Sequence, residues 1–214
     1  MNYQAALSFV FQDHEWLKKI TIGGLLRFAA CFTGIFFFLD FFTLGYAIEV
    51  MRNQYNNEKV GLPQWQEMGN KFINGLLGTL IYICYFLIFG GLGTIWIVYV
   101  ATSGDFHGGT KVILIIAGAL FILFGGLFFG TAGYIFFAIK GRFEAAFHLN
   151  SLLRLVHADI ASFFMILLFC FFLGILMVMV GLIIFAPFTL FWVSLVSAHL
   201  LAQYADRFPE ILAE

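Results

Sequence analysis

Residues 20–50 read "ITIGGLLRFAACFTGIFFFLDFFTLGYAIEV", and the fold turns on whether they cross a membrane once or fold back. A spanning helix needs about 20 apolar residues, so this run is long for one crossing and short for two. Two charges interrupt it, Arg27 and Asp40. A charge held in hydrocarbon is costly and calls for a partner or a wet cavity. On one straight helix, the 13 residues between them amount to roughly 20 Å at ~1.5 Å per residue, too far to pair. A corner near Thr33–Gly34 would instead set the two at similar depth on facing legs. Each charge then has a partner, and Arg27–Asp40 becomes a candidate intramembrane ion pair. The competing reading is that each side chain snorkels to its own interface.

Three more apolar runs follow, at Phe72–Ala101, Val112–Ile139 and Ile160–Leu201. The first two are one span each. The last would make roughly 63 Å of helix against a hydrocarbon core of about 30 Å, so it must turn back. The expected corner is near Gly181, with Pro187 opening or kinking the returning helix. Lysine and arginine collect on the cytoplasmic side of membrane segments. Lys18, Lys19, Arg52, Lys59, Lys71, Lys140, Arg142, Arg154 and Arg207 lie outside the apolar runs, as does Lys111 in "TSGDFHGGTK". If residues 20–50 form a hairpin, the first nine face one side and Lys111 alone faces the other. A single span would divide them between both sides.

The expectation is therefore an all-α polytopic membrane protein forming one domain, residues 1–214. About six membrane-embedded helical segments make three hairpins, with both termini cytoplasmic; five spans is the alternative. The location expected is a prokaryotic inner membrane. Between the apolar runs lie polar stretches that read as amphipathic interfacial helices. In "GRFEAAFHLNSLLRLVHADI" (141–160), Leu149, Leu152, Leu153 and Val156 make an apolar stripe, and Glu144, His148 and Ser151 a polar one. "LPQWQEMGNKF" (62–72) and "YQAALSFVF" (3–11) repeat the device. The resulting map is an interfacial N-terminal helix at 1–19, a hairpin or long span at 20–50, and an elbow at 51–71. Spans follow at 72–101 and 112–139, then an elbow at 141–158, with a helical hairpin and tail at 160–204.

Composition supports the class. Of 214 residues 62% are hydrophobic and 11% charged, where soluble domains carry about 25% charged residues. A net charge of −1 offers no footprint for nucleic acid. Cys31, Cys84 and Cys170 all fall inside apolar runs, which suits neither a disulfide framework nor a thiol metal site. The chain holds no HExxH, GxSxG or phosphate-loop motif. Glu144 and His148 are one helical turn apart, but His157 points to the opposite side of that helix, so no metal or cofactor is expected.

Two other features stand out. Trp192, Val196, His199 and Gln203 share a helical stripe, in which His199 and Gln203 can hydrogen-bond. The plain reading of His199 is a structurally satisfied side chain; a proton or substrate role, or ligation of a haem or pigment, are the alternatives. The glycines of "FGGLGT" and "FGGLFFGTAG", represented by Gly90, Gly93, Gly126 and Gly130, are expected to let helices approach closely.

Several motifs together resemble a known family. "ALSFVFQDHEWLKKITIGGLL", "LGYAIEVMRN", "LPQWQEMGNKFINGL", "GRFEAAFHLNSLLRLVHADIASFF" and "LVSAHLLAQYA" are similar, in that order, to an uncharacterised prokaryotic family of small multi-pass membrane proteins. More faintly, hairpins joined by amphipathic elbows resemble membrane domains attached to bacterial glycerophosphodiesterases. The resemblance implies an integral prokaryotic membrane protein and supplies no catalytic residues. Three functions remain open: a non-enzymatic accessory, scaffold or assembly subunit; a small transporter or channel; and a lipid-acting enzyme. The partners expected are the bilayer and either other membrane subunits or further copies of this chain.

Overall fold

The computed structural model describes residues 1–33, 37–57, 61–181 and 185–213, and among them every regular element is helical. They are α1 (Tyr3–Ser8), α2 (Trp16–Thr33), α3 (Asp40–Tyr55), α4 (Met68–Thr102), α5 (Gly108–Lys140), α6 (Leu149–Ala158), α7 (Ile160–Val180), α8 (Ala186–Ala205) and α9 (Pro209–Ala213). Short 3-10 turns lie at Phe9–Gln12, Phe37–Leu39 and Phe143–Phe147. Four of the helices, α4, α5, α7 and α8, are long and apolar enough to cross a membrane.

Local chemistry sets the boundaries. Asn2 caps α1 by accepting from the Ala5 N–H at 2.9 Å, and Asp159 caps α7 by accepting from the Ser162 N–H at 3.0 Å. α5 stops at Gly141, whose φ of 68° only glycine adopts without strain. Pro187 occupies the first turn of α8, where its missing N–H costs nothing. Gly181 ends α7 as expected. The corner expected near Thr33–Gly34 reaches into residues 34–36, which lie outside the described residues, but α2 ends at Thr33 and α3 starts at Asp40. Residues 20–50 are thus two helices, not one.

Burial is concentrated on α8, which packs against α2, α3 and α7. Tyr46 and Ile48 of α3, Phe136 and Phe137 of α5, Phe163 of α7, and Phe191 and Leu195 of α8 are all enclosed. The outer parts of α4, α5 and α7 carry the reverse pattern: Leu87, Ile95, Ile113, Phe171 and Met179 are largely uncovered. A bilayer is the environment in which such a surface is stable. With 35 and 33 residues, α4 and α5 measure roughly 50 Å against a core of about 30 Å. They must tilt or project beyond it.

Two expectations about the elbows need correction. Residues 61–67 are not helical; α4 begins only at Met68. Pro63 lacks an N–H to give, and Glu67 takes the left-handed conformation at φ 49°. This strap is held by side chains instead. Trp65 stacks on Tyr46 with centroids 4.4 Å apart and donates from Nε1 to the Lys19 carbonyl at 3.0 Å, while the Tyr46 hydroxyl donates to the Pro63 carbonyl at 2.7 Å. The second correction concerns α6, whose inward face is Ser151, Leu152, Leu155 and Val156, whereas Leu149 is exposed. The stripe is rotated because Phe143–Phe147 is a separate 3-10 turn, so Glu144 does not share a helix with Ser151.

The glycines divide. A Cβ at Gly93 would collide with Ile122, at Gly126 it would come 2.6 Å from the Phe86 ring, and at Gly130 it would come 2.6 Å from Tyr82. These three line the α4–α5 seam. Gly90 does not, since a Cβ there would meet nothing within 4 Å; three residues before Gly93, it is turned by about 60° from that face. Gly126→Leu is expected to lower thermal stability in detergent by about 1–3 kcal/mol. Phe171→Leu, on an exposed side chain, is the control. Equal unfolding temperatures for the two variants would remove Gly126 from the seam.

Candidate functional site

Cationic side chains gather at one end of the bundle, where the N-termini of α2 and α4 meet the C-termini of α3, α5 and α8. Two of them are buried. Lys19 donates to Asp13 Oδ2 at 2.9 Å and to the Leu62 carbonyl at 2.6 Å, with Lys19 and Asp13 side chains only 5% and 9% exposed. Lys71 pairs with Glu49 at 2.6 Å, donates to the Gln66 carbonyl at 2.8 Å, and lies 5.8 Å from the Tyr46 ring centre. Each buried ammonium therefore has a carboxylate and a carbonyl, which offsets its desolvation. Burial pushes the Asp13 carboxyl upward, but the Lys19 ammonium and the N–H groups of Glu15 and Leu62 outweigh it, holding the carboxyl below its ordinary value.

Three further contacts tie the same end together. Arg52 donates from Nε to the Ala138 carbonyl at 2.8 Å, joining α3 to α5. Arg207 pairs with Asp159 at 2.9 Å, and the Tyr204 hydroxyl donates to the Leu155 carbonyl at 2.7 Å. Ser162, capped by Asp159, and Arg207 together keep the Asp159 carboxyl below its ordinary value. The sequence reading used Lys19 and Lys71 only as markers of sidedness. Their burial depends on partners six and 22 positions away, with carbonyls from a strap whose helical pattern the fold does not follow.

Arg27 and Asp40 do meet. The Arg27 Nε donates to Asp40 Oδ1 at 2.8 Å, and its Nη2 to Thr43 Oγ1 at 3.3 Å; the Thr43 hydroxyl also bonds Asp40. Arg27 is 11% exposed and Asp40 34%. Asp40 lies in the first turn of α3, where the helix N-terminus favours a carboxylate.

His199 and Gln203 share a helix face but have separate partners. Gln203 clamps the N-terminal segment, accepting from the Asn2 N–H at 2.8 Å and donating to the Asn2 carbonyl at 3.3 Å. His199 is 6% exposed and stacks on Phe9 with centroids 4.5 Å apart. Its Nδ1 is enclosed and has no hydrogen-bond partner among the described residues. The ring borders a cavity of about 420 Å³. Trp192 Nε1, two turns earlier on α8, is likewise enclosed without a partner.

The chain belongs to the family described as "Protein of unknown function (DUF4013)", whose model matches residues 28–186. That match bears out the first of the two resemblances carried by the motifs. The likeness to membrane domains of glycerophosphodiesterases finds no support in it. No curated protein and no solved structure matches the chain.

Proposed function

We propose that this member of a family of unknown function is a non-enzymatic accessory, scaffold or assembly subunit of a larger complex in a prokaryotic inner membrane. One observation carries the reading: the buried cations are spent on architecture. Lys19 and Lys71 fasten the 61–67 strap to α2 and α4, and Arg52 and Arg207 join helix ends. The outer faces of α4, α5 and α7 are left broad and apolar, a surface that lipid or another membrane subunit can cover. Purification in a mild detergent tests this. A stoichiometric partner supports the reading, and flux through liposomes holding the pure protein replaces it with transport.

In this reading the membrane holds three hairpins, α2–α3, α4–α5 and α7–α8. With 18 and 16 residues, α2 and α3 reach roughly 27 and 24 Å, short of a core of about 30 Å. They form a re-entrant hairpin, and both termini are cytoplasmic. Lys59, one of the cations assigned inward, lies outside the described residues. In a background lacking Cys31, Cys84 and Cys170, a cysteine at position 105 is expected to react with an impermeant maleimide on intact cells, and one at 154 is not. Equal labelling would reject this topology.

Transport is the second reading, favoured by Asp40: a carboxylate in a short, broken hairpin, a third of its side chain uncovered.

A further inference from the structure

The cavity beside His199 has the chemistry of a ligand site. It sits at the cation-rich end of the bundle, enclosed by the N-terminal segment, the last turn of α3, residues 61–63 and α8. Its volume, about 420 Å³, falls within the roughly 300–1,000 Å³ usual for small-molecule sites. Gln12, Asn53 and Gln54 all border it, and none of their side-chain amides bonds to another described residue. His199 forms part of the wall. Since its Nδ1 is enclosed without a partner, Nε2 is the ring nitrogen that remains to meet a ligand.

The wall also limits what can bind. Among the described residues no Lys, Arg, Asp or Glu borders the cavity, so none of them offers a charged ligand a counter-charge against its desolvation. His199 stacks on one face of Phe9 at 4.5 Å, so that face is closed to a flat heteroaromatic ring. Each carboxamide offers both a donor and an acceptor. Hydroxyl groups do the same, so several together can satisfy three amides and an imidazole with no group mispaired.

We propose that this cavity binds an uncharged, hydroxyl-rich ligand: a sugar, presented either as the headgroup of a membrane glycolipid or free in solution. Gln12, Asn53, Gln54 and His199 Nε2 supply the hydrogen bonds. Val50 and Leu62 supply apolar wall for the carbon face of the ring. The proposal is independent of whether the protein serves as an accessory subunit.

The test uses the full-length protein in a detergent without sugar, such as lauryldimethylamine oxide, and reads the thermal unfolding midpoint. Monoglucosyl-diacylglycerol is compared with diacylglycerol of the same chains and with methyl-β-glucoside. The expected result is a rise of roughly 5 °C with the glucolipid over diacylglycerol, lost in the double variant Asn53→Ala/Gln54→Ala. Neither side chain holds the fold, so that variant is expected to unfold near the wild-type temperature without ligand. His199→Gln, which keeps a donor, should retain part of the rise. A rise with methyl-β-glucoside as well identifies a free sugar; a rise with the glucolipid alone identifies a lipid headgroup. The proposal is overturned if neither sugar compound outperforms diacylglycerol, or if the double variant responds as fully as wild type.

Discussion

Gly75→Ala is expected to destabilise the protein by about 3 kcal/mol or more, although it adds a single methyl group. Gly75 lies where α4 crosses α3. A Cβ there would fall on the Phe41 carbonyl oxygen and come 2.7 Å from its carbon and 2.8 Å from the Gly45 nitrogen. Gly45 is its counterpart, where a Cβ would fall on the Lys71 carbonyl oxygen. The obstructing atoms are backbone on both sides, so no rotamer change relieves the clash and the helices must move apart. Separation would also strain the Lys71–Glu49 pair, which bridges the same crossing at 2.6 Å. Gly126 differs because the atoms it meets belong to the side chain of Phe86, which can swing. Thermal unfolding in detergent should therefore rank Gly75→Ala and Gly45→Ala well below Gly126→Ala. Gly90→Ala, with open space around it, should fall within about 0.5 kcal/mol of wild type. If Gly75→Ala unfolds at the wild-type temperature, α3 and α4 do not cross in this way.

That crossing shows where the sequence was legible and where it was not. The break in residues 20–50 could be read because a cost local to the sequence, two charges in an apolar run, admits few solutions. The turn at Gly181 and Pro187 could be read from length alone. Gly45 and Gly75 could not, because Gly45 is the lone glycine of α3, Gly75 lies in "INGLLGTL" outside the two tracts singled out, and close approach in lipid was sought in those tracts. Gly93, Gly126 and Gly130 fitted that search, and Gly90 fitted it without reason in the fold. The 61–67 strap was misread because its order comes from Tyr46, Lys19 and Lys71, none within the segment, whereas a helical stripe there was only a pattern of letters. His199 could be singled out as an ionisable residue in an apolar helix. Its setting could not, since Phe9, Gln12 and Asn53 reach it from two other parts of the chain.

Asp40→Leu should cost more than Arg27→Leu, and the double variant less than the two together. Removing one member of a buried pair leaves the other unpaired and costs roughly 3–5 kcal/mol, while replacing both can be nearly neutral. Here the two ends of the pair are unequal. Without Arg27, Asp40 keeps its Thr43 bond and the favourable N-terminus of α3, and its side chain is 34% exposed. Without Asp40, Arg27 keeps only the Nη2 contact to Thr43 at 3.3 Å and is 11% exposed. Unfolding temperatures of the wild type, both single variants and Arg27→Leu/Asp40→Leu close a double-mutant cycle whose coupling term measures the pair. A coupling of about 2 kcal/mol or more is expected, with Thr43→Val lowering stability by a smaller amount. Strict additivity would mean that the two charges do not hold each other in the folded protein. Asp40 would then be a lone carboxylate at the start of a helix in a short hairpin, and transport would become the better reading of this chain.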